Sequence, residues 1–472
     1  MLIYDNWERI PYMIYEPIFL DEHSGTPMYR QLYDSIRGKI CGGELAVGEK
    51  MPSIRRIADE LGVSRTTVEQ AYQQLCVEGY LVSRPQSGYY VEAAVIETNA
   101  APSYDRFDDE PEPSVSYDFG SRYVDSRGSD LDLWRKYVRA VLSSESIVTS
   151  YGHNQGEPAL RVQLARYGNL LRGVNATPDR IVIGAGVQPL LSLLCGLLGE
   201  RAGRVGIESP CFPHAERVFR DFRLNITELG QDSYGVTPQE LYASKADVLY
   251  LNPSNTESMG RPMPVSRRAE LLRWAERTNG LIIEDDYNGA LRFRSRPVPA
   301  MQGMSDGERV IYLGSFSKLL MPSVRISYMV LPADLAELYR ERGASYNQTS
   351  SKIEQLALAG YIRDGHIEKR LRRLRKLYSE KSDRILSLLN ESFGSSAKIR
   401  LAETALCAEL TLNCEISADE LAEIALAQGV RVIPTDTGGR SVRLRLSFAG
   451  IQSEKIAEGV RRLYAIVSPY CR

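Results

Sequence analysis

The chain has 472 residues, 43% hydrophobic and 25% charged, with a formal net charge of −2, a make-up that leaves room for two or three globular domains and excludes a nucleic-acid partner recruited by bulk charge alone. No apolar run nears the roughly 20 residues that span a bilayer, and the opening "MLIYDNWERIPYMIYEPIF" lacks a secretory pattern, so a cytoplasmic protein without a membrane partner is expected. Seven scattered cysteines with no CxxC pair, and four isolated histidines, argue against a disulfide framework and against a zinc site.

Residues 27 to 92 read as three helices and a hairpin: "PMYRQLYDSIRGKICGG", "PSIRRIADELG", "SRTTVEQAYQQLCVEG" and "YLVSRPQSGYYVE". Pro27 and Pro52 suit a first helical turn, Ser53 and Ser64 can cap, and Gly62 ends the second helix so that Val63 packs in the turn. Val68, Ala71, Tyr72 and Leu75 recur at helical spacing, and "RPQSG" joins two short strands. The pattern predicts a winged helix-turn-helix, placed with its N-terminal extension in residues 1–92. Its eight basic residues meet eight acidic ones, so DNA contact has to come from distribution. Arg55, Arg65 and Arg84 fall on the second helix, the start of the recognition helix and the wing, with Ser64, Thr66 and Thr67 as hydroxyl donors. The plainer alternative is a small dimerisation or protein-binding module.

Between residues 93 and 116, "AAVIETNAAPSYDRFDDEPEPSVS" is rich in Pro, Asp and Glu and has no periodic apolar face. A flexible linker of this length spans about 25 to 30 Å, more if its acids repel. From 117 onward, short apolar runs ("RIVIGAGV", "RVGIESP", "VLYLN", "GLIIEDDY", "RVIYLGSFS", "ISYMVLP") alternate with amphipathic helices. This predicts a largely parallel sheet covered on both faces, over about 117–330. After 331 come long charged helices, then "ALCAELTLN", "SADELAEIALAQGV", "VRVIP" and "SVRLRLSFA", a smaller α+β subdomain reaching 472.

The stretch "IVIGAGVQPLLSLLCGLL" has two readings. Gly184, Gly186 and the later Glu208 fit a dinucleotide fingerprint, but Pro189 stands where the third glycine belongs. Alternatively, the backbone N–H groups of Gly186, Val187 and Gln188 open a helix and hold one phosphate. "IIEDDYNG" sets Glu284, Asp285 and Asp286 together, a costly cluster unless a cation, a metal or a protonated ring nitrogen is near. "GSFSKLLMPSVRISY" puts Lys318 in an interior-looking segment with Arg325 seven residues on. An amine, a carboxylate, a guanidinium and a phosphate loop are what pyridoxal phosphate requires, and together they decide for the second reading.

On these motifs residues 117 to 472 resemble a fold type I aminotransferase, and the whole chain beyond its first 15 or so residues resembles the MocR subfamily of GntR regulators; "PSIRRIADELGVSRTTVEQAYQQLCVEGYL" carries the GntR part. The resemblance implies a multidomain protein, a winged helix-turn-helix fused to an α/β pyridoxal-phosphate-binding body with large and small subdomains. Lys318 would form the internal aldimine, Asp285 would pair with the ring nitrogen, and Tyr287 and Asn252 would bind the phenolic oxygen. Ser315, Ser317 and Arg325 would hold phosphate with the loop 186–188, and Phe212 would stack on the ring. Arg445 would take an effector carboxylate, with Arg443 two residues earlier as the competing choice. Tyr151 would reach a phosphate across a dimer interface. Phe212 where the family often has tyrosine, Ser327 where it often has glycine, and the stretch "NTESMGRPM" depart from the family pattern.

The expected function is a homodimeric transcription regulator that binds double-stranded operator DNA and senses an amine or amino acid through an external aldimine. The rivals are a metabolic aminotransferase with an accessory head, and a DNA-binding protein whose body only dimerises.

Overall fold

The computed structural model describes residues 18–21, 24–92, 114–120, 124–125, 130–209, 212–256, 261–294, 298–402, 406–436 and 441–471. The N-terminal extension through residue 17 and the linker reading for 93–113 lie outside the described residues, as do Pro210 and Cys211. The described residues form two compact units, 18–92 and 114–471.

In the first unit, α1 (Met28–Cys41), α2 (Ile54–Leu61) and α3 (Arg65–Val77) precede the hairpin β1 (Leu81–Arg84) and β2 (Gly88–Val91). Ser53 accepts the Arg56 N–H at 3.2 Å and Ser64 accepts the Thr67 N–H at 3.1 Å, so both serines cap as their positions suggest. Gly62 is left-handed (φ 66°), and Val63 donates back to the Ala58 carbonyl, which turns the chain sharply between α2 and α3. Pro27 stands at the N-cap of α1, and Pro52 lies ahead of Ser53, where its carbonyl accepts the Tyr72 hydroxyl at 3.0 Å. Val68, Ala71, Tyr72 and Leu75 are fully buried against Leu32, Ile36 and Ile57. The hairpin pairs Leu81 with Val91 through Arg84 with Gly88, and residues 48–51 add a third edge by bonding Val91 and Tyr89.

The second unit opens with β3 (Tyr117–Asp118) and is built on a seven-stranded sheet. Its strands are β4 (Ile181–Gly184), β5 (Arg204–Glu208), β6 (Asn225–Leu229), β9 (Val248–Leu251), β10 (Leu281–Asp286), β11 (Val310–Ser315) and β12 (Ser327–Val330), after a small hairpin β7 (Gln231–Asp232) and β8 (Gly235–Val236) between β6 and β9. The order is β4-β12-β11-β10-β9-β5-β6, and β12 runs antiparallel to both neighbours. The parallel strands are apolar on both faces because helices cover both; Val187–Leu198 packs six buried side chains on one face. The small subdomain has β13 (Ala397–Leu401), β14 (Cys407–Asn413), β15 (Val430–Arg431), β16 (Ile433–Asp436) and β17 (Ser441–Ser447), with a four-stranded sheet in the order β13-β14-β17-β16. The helix His366–Phe393 packs beside it.

The first described stretch of this unit is fastened to the small subdomain. β3 pairs in parallel with β15, Phe119 is fully buried, and the Ser447 N–H donates to the Phe119 carbonyl at 2.7 Å. Asp125 forms a fully buried ion pair with Lys381 at 2.6 Å, and the Lys381 ammonium also donates to the Phe448 and Ala449 carbonyls. One expectation is corrected here: Cys414 and Cys471 are bonded, although the cysteine spacing argued against disulfides. A bridge between the end of β14 and the last residues of the chain brings them together from 57 positions apart, which spacing alone cannot display. Among the described residues, no helix is long and apolar enough to cross a membrane.

Candidate functional site

The carboxyl ends of β5, β9, β10 and β11 point to one side, the position where open α/β sheets bind ligands. A cavity of about 770 Å³ opens there, closed by residues of β14, β16 and β17. It gathers Gly186, Val187, Gln188, Phe212, Asn252, Asp285, Tyr287, Ser315, Ser317, Lys318, Arg325 and Arg445. Every body residue selected from the sequence is thus brought to one place except Tyr151, which is fully exposed and does not line this cavity.

Strand alternation sorts the acidic triplet of β10. Asp285 faces the cavity, and Glu284 and Asp286 point the other way. Asp286 meets Arg172 at 2.6 Å and accepts from the Ser254 and Tyr312 hydroxyls; burial opposes its ionisation, and these partners more than offset that, holding its pKa low. Glu284 accepts the Met301 and Gln302 N–H groups, with Arg268 3.9 Å away. Arg172 thus offsets the cost of Asp286, while Glu284 relies on two backbone N–H groups and burial still raises its pKa. Among the described residues, Asp285 receives only the Tyr250 hydroxyl, at 2.5 Å, and its buried Oδ1 has no hydrogen-bond partner. Burial raises its pKa to about 6 despite Tyr250, with the Asp286 charge adding to the rise.

The phosphate end is shaped by backbone. Gly186 has φ 112°, and a Cβ there would stand 2.5 Å from Arg325 Nη2. Arg325 is itself left-handed (φ 50°) and donates to the Ala185 carbonyl at 3.2 Å, which aims its guanidinium across the N-terminus of Val187–Leu198. Ser315 and Ser317 complete this end, linked at 3.3 Å. Lys318 follows on the loop after β11, and burial lowers the pKa of its amine. The Tyr287 hydroxyl accepts from Asn255 at 2.5 Å, while Asn252 Oδ1 is buried without a partner among the described residues. Phe212 is 41% exposed at the mouth, edge-on to His214 with centroids 5.0 Å apart. On β17 Arg443 is exposed and Arg445 faces the cavity, its buried Nε without a hydrogen-bond partner among the described residues. Ser327 is fully buried in the wall, its hydroxyl without a partner. Sequence reasoning missed Tyr250, Arg172 and Arg268, because they act through residues 16 to 114 positions away.

The donor set fits pyridoxal phosphate: a glycine cradle with a guanidinium for the phosphate, a buried acceptor with a free oxygen for a ring N–H, and an amine with a lowered pKa for the aldehyde. The family of bacterial regulatory proteins of the gntR type matches residues 28–91, and aminotransferase class I and II matches residues 123–463. The probable rhizopine catabolism regulatory protein MocR of Rhizobium meliloti is 30% identical over 94% of this chain and 95% of its own. The chain belongs to the MocR subfamily of GntR-type regulators. A second relative of this MocR-type protein, the HTH-type transcriptional regulator YdeL of Bacillus subtilis, is 35% identical over 95% of the chain and 98% of its own. LysN, the α-aminoadipate aminotransferase of Thermus thermophilus solved with N-(5'-phosphopyridoxyl)-L-leucine, is 25% identical with a TM-score of 0.66, covering 75% of this chain and 92% of its own. An archaeal alanine:glyoxylate aminotransferase superposes at TM-score 0.68 with 23% identity, over 75% and 91%. The MocR body thus has the fold type I architecture, and its cofactor is pyridoxal 5'-phosphate.

In the DNA-binding head the selected residues are exposed or half-buried. Arg55 is exposed and 3.9 Å from Asp59 one turn on. Arg65 and Thr66 are exposed at the start of α3. Ser64 and Thr67 share a 2.8 Å hydroxyl contact, so capping engages two of the expected donors. Arg84 lies over the Tyr90 ring at 4.3 Å, with Lys50 on the same ring at 5.9 Å, which stiffens the wing.

Proposed function

We propose that this transcription regulator senses an amine or amino acid in the cofactor cavity, and that occupancy there changes how its heads hold operator DNA. One observation carries the reading: Arg445, whose Nε is buried without a hydrogen-bond partner among the described residues, faces the same cavity as Lys318 in a chain that also has a DNA-binding head. A buried N–H without a hydrogen bond is costly, and a planar carboxylate can meet a guanidinium with two hydrogen bonds.

In this reading the cofactor supplies an electrophilic aldehyde carbon for amines. Lys318 holds that carbon at rest, and burial favours its neutral, nucleophilic form. Asp285 fixes the ring nitrogen's proton, Tyr287 and Asn252 take the phenolic oxygen, Phe212 covers the ring, and the 186–188 loop with Ser315, Ser317 and Arg325 holds the phosphate. An amine effector would compete with the Lys318 amine for that carbon, and Arg445 would select effectors bearing a carboxylate. Arg445 and Ser447 sit on the strand bonded to Phe119, and Lys381 ties Asp125 to the residues after it, so a shift of the small subdomain pulls on the body end of the linker. The protein acts in the cytoplasm as a homodimer. Tyr151, fully exposed in one chain, completes the partner's phosphate site, and two heads read paired half-sites.

The test is a screen of amines and amino acids against the absorbance of the holoprotein, with hits repeated in a gel shift. Wild type should show a band bleached by borohydride that Lys318→Ala lacks. Arg445→Ala should keep the band and lose the response to amino acids while retaining that to simple amines. A band surviving in Lys318→Ala would contradict the site assignment. Steady turnover of an amino acid with a keto acid and no DNA response would favour a metabolic aminotransferase instead.

A further inference from the structure

One carboxyl in the cavity has no task in these assignments. Glu208, at the end of β5, is 5% exposed and lines the cavity wall. Its Oε1 accepts the Asn252 backbone N–H at 2.7 Å, while its buried Oε2 has no hydrogen-bond partner among the described residues. An ionised carboxylate with one oxygen left bare in such a place costs more than a neutral acid. Burial raises its pKa to about 8, opposed by the Asn252 N–H and assisted by the Asp285 charge. The cavity's other titratable groups are Tyr250 on β9, Asp285 on β10, Tyr287 after it, Cys407 on β14, Arg445 on β17, His214 in the helix Pro213–Asp221, and Lys318 and Arg325 after β11. Asp285 keeps its charge for a ring nitrogen, and a neutral acid two strands away can offer that wall an acidic O–H.

We propose that Glu208 is a positioning and donor residue of the cofactor site: Oε1 fixes the main chain of Asn252, and Oε2–H donates a hydrogen bond to the bound pyridoxal phosphate. The inference rests on the assignment of that cofactor to this cavity. Two carboxyls then divide the work by environment, one as anion and one as donor.

The experiment is absorbance titration of the apoprotein with pyridoxal phosphate for wild type, Glu208→Gln and Glu208→Ala, at about pH 6 and about pH 9.5, bracketing the titration of the acid. Glutamine keeps both an acceptor and a donor at either pH. At the lower pH, wild type and Glu208→Gln should bind alike and Glu208→Ala about tenfold more weakly, the worth of one buried hydrogen bond. At the higher pH, wild type should fall at least about threefold behind Glu208→Gln, because the ionised acid can no longer donate. A wild-type to Gln ratio that stays constant, or alanine binding as tightly as glutamine, overturns the inference. If wild type binds the cofactor with a borohydride-bleached band and the ratio is flat, only this inference fails; if wild type binds none, the cofactor assignment fails with it.

Discussion

A single carboxylate oxygen illustrates how the site works. Asp285 Oδ2 is engaged by Tyr250 and Oδ1 is bare, so the residue is held in place and left with one acceptor to offer. Because burial raises its pKa to about 6, the carboxylate is present above that pH and is lost as the pH falls through it. Cofactor affinity of the wild type should therefore decline on acidification below about 6. Asp285→Asn should bind pyridoxal phosphate about 10- to 150-fold more weakly near neutral pH, the range for a hydrogen bond to a charged group, with that decline absent. Equilibrium dialysis across pH measures both; an Asp285→Asn protein with unchanged affinity would remove the residue from the site. Residues such as Lys318, Ser315, Ser317 and Arg325 were legible in the sequence because one short segment carries them all. Glu208 was legible only as a ribose ligand of the rejected dinucleotide reading, since its partner Asn252 is 44 positions away and no local pattern joins the two.

At the scale of elements, the boundaries signalled by caps and glycines were readable: Ser53, Ser64 and Gly62 do locally what their chemistry dictates. Strands apolar on both faces were readable too. Two were not. β6 ("NITEL") is an edge strand of mixed exposure, and β13 ("AKIRL") is an edge strand carrying Lys398 and Arg400, so neither shows the apolar run that marks an interior strand. The pairing of Arg172 with Asp286 joins the helix Pro158–Arg172 to β10 and was invisible for a similar reason, being a contact across 114 positions. Both side chains are almost wholly buried. Arg172→Leu should accordingly destabilise the body by about 3–5 kcal/mol, since it strands the Asp286 charge. Urea denaturation followed by tryptophan fluorescence reads this out, and a loss below about 1 kcal/mol, the level of an exposed pair, would show the ion pair to be dispensable.

Over the whole molecule, the chain joins two units that sequence composition separated clearly, because an acidic, proline-containing stretch lies between two periodic regions. What composition could not reveal is that residues 116–120 and Asp125 are stitched into the small subdomain, through Phe119 to Ser447 and Asp125 to Lys381, beside the strand that carries Arg445. Under the proposed function, binding in the cavity and grip on DNA would form one linked equilibrium, for which a coupling of about 1–3 kcal/mol changes operator affinity about 5- to 150-fold. The most direct test titrates an effector amine into holoprotein and follows absorbance and operator affinity on the same samples. Coincident midpoints, an affinity change within that range, and loss of both responses in Lys318→Ala are the predicted result; a complete spectral change with operator affinity unmoved would contradict it.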